Sequence, residues 1–253
     1  MRIAAVQHDI VWEDRTANFA RLAPQVARAA AAGAELVLLS ETFSTGFSMT
    51  PGIGEPEDGP SSAFLREQAA ALGVWVAGSC PEIAPDGELP FNALVLAGPD
   101  GTVHRYRKLH PFTHAGEHER FRAGSAPVTV EIGGLRITPF ICYDLRFADV
   151  FWRAAPETDV YLVTANWPAA RRLHWQALLQ ARAIENQAYV VGCNRVGAAG
   201  DGSAHAGDSR IVDPMGELLA TAAGVETIVL ADVDAAEVAA TRDRLRFLPD
   251  RRA

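Results

Sequence analysis

The sequence predicts an α/β protein in which a mixed sheet, or two sheets face to face, packs against helices. Short apolar runs of strand length alternate with longer stretches of helical period along the chain, and several runs are joined by Gly- and Pro-bearing turns that signal hairpins. The 253 residues, 49% hydrophobic and 21% charged, are enough for one large core. We read residues 1–253 as a single domain.

IAAVQ at 3–7 reads as the first strand, and the alanine-rich stretch 16–32 as a helix that must accommodate Pro24. Gly33 stops it, and ELVLLSE at 35–41 runs as a buried strand ending on Glu41. Residues 61–72 form a helix capped by Ser61 or Ser62, followed by the strand VWVAGSC at 74–80. NALVLAG and TVHRYRK flank the turn Pro99-Asp100-Gly101, a hairpin that leaves Lys108 just past a strand end. PVTVEI and GLRITPFI make another about Gly133-Gly134. Pro139 has no N–H to give a central ladder, so a bulge or an unpaired edge is expected there. Residues 146–155 read as helical, DVYLVTAN at 159–166 as a strand, and 171–187 as the longest helix. Leu173, Ala177, Leu178, Ala181 and Ile184 form a stripe on that helix suited to core or dimer contact rather than a ligand. AYVVGCN, SRIVDP, ELLATA and TIVLADV supply late strands before a helix from about Ala235.

Composition excludes several classes. A net charge of -8, with no cluster of basic residues among aromatics, argues against nucleic acid as a partner. No apolar run approaches the roughly 20 residues that span a bilayer. The N-terminus MRIAAVQHDI lacks a signal-length core, so a cytoplasmic protein is expected. The three cysteines, Cys80, Cys142 and Cys193, are odd in number and have no C-x-x-C spacing, which fits a reducing compartment.

The stretch FICYDLRF drives an apolar run into Cys142. If the run is a strand and a helix starts near Phe147, the thiol faces a helix N-terminus, where a thiolate is stabilised. Lys108 is equally pointed: of 23 basic residues the other 22 are arginine, so a compact ammonium is wanted there. Glu41, Lys108 and Cys142 each sit at or just beyond a strand's C-terminal end, where layered α/β folds gather active sites. Together they suit acyl transfer: Glu41 as base, Cys142 as nucleophile, Lys108 and the Tyr143 N–H as oxyanion donors. No cofactor is required. Taken one by one, a turn-capping carboxylate, a solvated charge and a small buried hydrophobe explain them as well.

SETFSTGF around Glu41, YRKLH around Lys108 and ICYDLRF around Cys142 resemble, in order, the three signatures of the nitrilase superfamily, the carbon-nitrogen hydrolases. ANWPAARRLHW and ARAIENQAYVVGCNRVG extend the likeness through most of the chain. The resemblance implies a four-layer αββα sandwich, a Glu-Lys-Cys triad, a catalytic cysteine on an elbow, and homodimers. It also implies a second acid after the lysine, matched by Glu117, with Glu119 nearby as an alternative. Within the superfamily the pattern is similar to the omega-amidase branch, which hydrolyses the terminal amide of 2-oxoglutaramate. Arg146 matches an arginine that the branch uses near the substrate carboxylate; its alternative is an ion pair with Asp144 or Asp149. Phe43 and Trp167 are the other substrate-binding candidates, Trp167 with Pro168 in a loop after a strand. An N-carbamoyl amino acid or a nitrile would meet the same triad.

Two readings from other classes compete. His110, His114 and His118, four apart, would share one face of a helix as a zinc hydrolase might use them, although Pro111 and Gly116 interrupt the segment. A non-catalytic binding protein would keep the fold with an unreactive Cys142.

Overall fold

The computed structural model describes residues 1–83, 86–87 and 89–252. Strands β1 (Arg2–Gln7), β2 (Leu36–Leu38) and β3 (Trp75–Glu82) run parallel, connected by helices α1 (Arg15–Ala31) and α2 (Pro60–Leu72). Strands β4 (Phe91–Ala97) and β5 (Val103–Arg107) extend this sheet antiparallel on one side, and β13 (Thr227–Asp232) pairs with β1 on the other.

The second sheet repeats the plan. Strands β7 (Leu135–Ile141), β8 (Val160–Ala165) and β9 (Tyr189–Asn194) are parallel, with helices α3 (Ala148–Ala154) and α4 (Arg172–Asn186) in the connections. Strand β6 (Val130–Ile132) flanks β7, while β11 (Ala204–Val212), β10 (Val196–Ala198) and β12 (Leu218–Ala223) lie beyond β9. Helix α5 (Ala235–Leu245) follows β13.

Strand alternation sets the layers. Ile3, Ala5, Leu36 and Leu38 enter the core shared with the second sheet, where Ile137, Ile141, Leu162 and Val191 also lie. Their neighbours Ala4, Val6 and Val37 face the other way, onto Leu22 and Val26 of α1 and Phe64 and Leu65 of α2. Trp175, Leu179 and Ala183 of α4 cover the second sheet. The result is the expected αββα sandwich. Side chains also stitch the sheets directly: Thr164 Oγ1 donates to the Leu39 carbonyl at 2.7 Å, and the Cys193 thiol lies 3.3 Å from the Val6 carbonyl oxygen.

Local expectations are refined. Neither serine caps α2; Gly59 is the N-cap and Pro60 the first helical residue, while Ser61 Oγ is spent on Ser44 Oγ. At Pro139 the unpaired-edge alternative fits. The ladder to β8 is unbroken, but β6 pairs only with Leu135 to Ile137, so it ends short of the proline. On α4 the buried face is Trp175, Leu179, Arg182, Ala183 and Asn186, whereas Leu173 is 71% and Ile184 44% exposed. The predicted stripe therefore is not the main buried face: Leu173, Ala177 and Ile184 face outward, while Leu178 packs partly buried against the core. Among the described residues no helix is long and apolar enough to cross a membrane.

Candidate active site

Three chain segments deliver the chemistry. Glu41 lies three residues past the end of β2, Lys108 directly follows β5, and Cys142 directly follows β7. All three belong to strands whose ends meet at one edge of the sandwich. Lys108 Nζ donates to Glu41 Oε1 at 2.9 Å and to Glu117 Oε2 at 2.8 Å, with all three side chains fully buried. The Cys142 thiol lies within the electrostatic influence of both Glu41 and Lys108.

The supporting shell is dense. Asn92, at the start of β4, donates to Glu41 Oε1 at 2.9 Å and to Glu117 Oε1 at 3.2 Å. The Asn166 N–H donates to Glu41 Oε2 at 2.8 Å, and the Phe112 N–H to Glu117 Oε2 at 2.5 Å. Both carboxylates are thus oriented from several sides, leaving little rotamer freedom. Of the two loop acids only Glu117 turns inward; Glu119 is exposed.

Electrostatics define the resting state. Burial disfavours the Lys108 ammonium, but Glu117 and then Glu41 outweigh it, and the lysine is held protonated well above its ordinary range. Burial pushes the Glu117 carboxyl up, an effect that Lys108 opposes and Glu41 reinforces. Burial, reinforced by the charge of Glu41, raises the Cys142 thiol well above the ordinary cysteine value despite the opposing pull of Lys108. This corrects the expectation of a thiolate stabilised by a helix N-terminus. The segment starting at Cys142 is a five-residue 3-10 turn, Cys142–Arg146, and α3 begins only at Ala148; the charge that acts most strongly on the thiol is the carboxylate of Glu41. The cysteine rests as a thiol with its base alongside.

Cys142 sits at φ 44°, a left-handed conformation costly for a residue with a Cβ. Asp144 holds it there. This buried carboxylate accepts from the Ile141 N–H at 3.1 Å, the Tyr106 hydroxyl at 2.7 Å and the His110 N–H at 2.9 Å, tying the elbow to the segment that carries Lys108. Being at the start of a 3-10 turn, the Tyr143 N–H has no acceptor within it and is free for an oxyanion.

A cleft of about 580 Å³ opens over Cys142, lined among others by Phe47, Phe112, Tyr143, Arg146, Trp167 and Arg171. Arg146 pairs with neither Asp144 nor Asp149. Its guanidinium lies over the Trp167 ring, 4.7 Å from the centroid, and Asp149 is taken by Arg153. Trp167 and Pro168 line the cleft as expected. Phe43 does not: it is fully buried against Phe19 and Phe64 beneath α1 and α2, and Phe47 occupies the cleft instead. A period-based reading cannot tell which aromatic of a loop turns inward.

The histidine trio does not form a helical face. Residues 113–119 make two 3-10 turns broken by Gly116 at φ 73°. His110 stacks on Phe147 and meets Asp144, while His114 lines the cleft over Cys142. Among the described residues no group of three His, Cys, Asp or Glu side chains is arranged to hold a metal. Sequence reasoning missed Asn92, Asn166 and Arg171. A signal existed for the asparagines, since each is a polar side chain at the end of an otherwise apolar strand.

The architecture is that of the nitrilase superfamily. It superposes on a Saccharomyces cerevisiae protein of branch 10 of that superfamily with TM-score 0.87 at 26% identity, covering 97% of this chain and 94% of the other. A carbon-nitrogen hydrolase family model matches residues 2–243, and the chain belongs to that family. It is 43% identical over 222 residues to omega-amidase YafV of Escherichia coli K12, covering 88% of this chain and 85% of that protein. It is 33% identical to the 2-oxoglutaramate amidase of Bacillus subtilis, covering 86% and 85%. A CN-hydrolase superfamily protein from Xanthomonas campestris, with an arsenic adduct in its active site, superposes with TM-score 0.93 at 37% identity, covering 100% and 97%.

Proposed function

We propose that this protein is an omega-amidase that hydrolyses the terminal amide of 2-oxoglutaramate to 2-oxoglutarate and ammonia through a thioester on Cys142. The observation that carries this reading is the meeting of buried Glu41 and Lys108 with Cys142, which lines a cleft together with Arg146. Glu41 takes the thiol proton as sulfur attacks the amide carbon, so no free thiolate accumulates. Lys108 and the Tyr143 N–H stabilise the oxyanion of the tetrahedral intermediate. On its collapse Glu41 returns the proton to the departing nitrogen, releasing ammonia and leaving the thioester. A water molecule then gives a proton to Glu41, attacks the thioester and frees the acid, and the proton returns to sulfur. Glu117 and Asn92 position Lys108 and Glu41 throughout. At the far end, the Arg146 guanidinium offers a planar fork to the substrate carboxylate.

The test is ammonia release from 2-oxoglutaramate, with glutamine, an N-carbamoyl amino acid and a simple nitrile in parallel. Turnover of 2-oxoglutaramate should dominate and fall by a factor of about 10⁴ or more in Cys142→Ala. Preferred turnover of another compound, or activity surviving the substitution, would refute the assignment. Three free thiols fit work in a reducing cytoplasm, and the exposed Leu173 and Ile184 on α4 fit a homodimer contact. A single-chain mass in sedimentation would remove the dimer.

A further inference from the structure

Arg171 is a second cation on the catalytic cleft. It lies just before α4, half-buried, with its guanidinium over the Phe112 ring at 5.5 Å from the centroid. Trp167 links it to Arg146: the indole face carries the Arg146 guanidinium, and the indole N–H donates to the Arg171 carbonyl at 2.8 Å. Among the described residues neither Arg146 nor Arg171 forms an ion pair. Nearby arginines do, Arg172 with Asp208 at 2.8 Å and Arg195 with Asp9 at 2.7 Å. Asp201 is the one carboxylate among the described residues lining the cleft, and it accepts from the N–H and hydroxyl of Ser203 in its own loop. Two uncompensated guanidiniums held on aromatic faces in one cleft are a site for a group rich in acceptors.

We propose that Arg171 sets the preference of this enzyme for 2-oxo acids, sharing the carboxylate and the adjacent 2-oxo oxygen of the substrate with Arg146. The inference rests on the omega-amidase reading and deepens it. Guanidinium groups donate and never accept. A carboxylate beside a carbonyl presents only acceptors and is matched. An amino acid such as glutamine places an ammonium, a cationic donor, beside the same two cations, and is rejected by repulsion and unmet hydrogen bonds. Glutaramate, which lacks the 2-oxo oxygen, meets the charge but forgoes one acceptor.

The experiment compares kcat/KM for 2-oxoglutaramate, glutaramate, glutamine and neutral pentanamide in the wild type, Arg171→Gln and Arg172→Gln. Removing Arg171 should cost about 10- to 100-fold on 2-oxoglutaramate, chiefly in KM, as expected for a lost hydrogen bond to a charged group. The loss should be smaller on glutaramate and smallest on pentanamide, and discrimination against glutamine should relax. Arg172→Gln, whose arginine is engaged by Asp208, should show no such gradient. Equal losses on all substrates, or none, would overturn the proposal. A second readout does not need turnover: protection of Cys142 from iodoacetamide by 2-oxoglutarate or glutarate. The oxo acid should protect better in the wild type, and Arg171→Gln should erase the difference. If no amide is hydrolysed, the omega-amidase reading fails, and this protection pattern alone upholds or overturns the role of Arg171.

Discussion

Lys108 is the only lysine in a chain with 22 arginines, and its surroundings explain why arginine does not stand there. Its ammonium is fully enclosed between two carboxylates at 2.8–2.9 Å, a space that suits a compact point charge and not a wide planar fork. Burial and the charge of Glu41 keep Cys142 a thiol despite Lys108, so it depends on Glu41 as a local base. This has a measurable consequence. Alkylation of Cys142 by a small electrophile at neutral pH should proceed in the wild type and slow by about 100-fold in Glu41→Gln, where no local carboxylate takes the thiol proton as sulfur attacks. Equal rates in both proteins would mean that the thiol ionises without Glu41. Glu41 and Cys142 were legible in the sequence because each closes an apolar run, and Lys108 because it is the lone lysine among 22 arginines and stands at a strand end. Phe43 was not, because a loop aromatic carries no periodic mark of the side it faces.

At the scale of elements, the elbow after β7 is the feature on which the site depends. A positive φ at Cys142 persists because Asp144 collects donors from Ile141, Tyr106 and His110, joining the cysteine's turn to the lysine's segment. Asp144→Ala would leave those donors buried and unpaired. We expect a loss of roughly 2–4 kcal/mol in stability, read by urea melts. Activity of the folded fraction should fall as well, and full activity in a folded variant would show that the elbow holds without Asp144. Helix α4 illustrates the limit of pattern reading. Its apolar residues lie on both faces, and burial of Trp175 and Leu179, not periodicity, decided which face packs on the second sheet.

The whole molecule is two similar halves pressed together, and the seam between them buries polar groups as well as apolar ones. His8, just past β1, is fully buried, with Nδ1 3.1 Å from the Val6 carbonyl oxygen and Nε2 3.4 Å from Ser40 Oγ. Burial, reinforced by the charge of Arg195, lowers its pKa from 6.5 to about 4. Because the folded value lies below the unfolded one, this contribution to stability is complete above about pH 6.5 and is lost as pH falls towards 4. At the acid end it amounts to roughly 3 kcal/mol. Urea melts at pH 7 and pH 4 should show that much less acid sensitivity in His8→Asn; an unchanged pH dependence would refute the assignment.

Elements and nucleophile follow from the chain alone, because apolar period, turn residues and abrupt polar ends are local properties of sequence. The pairing of the two sheets, the inward choice of Glu117 over Glu119, and the meeting of Arg146 with Arg171 across Trp167 do not. Each joins segments distant in sequence or depends on which way a loop side chain turns, and only packing decides that. Cys142 shows the division most clearly: its position was readable, but its protonation state is set by its own burial and the charge of Glu41, against the pull of Lys108.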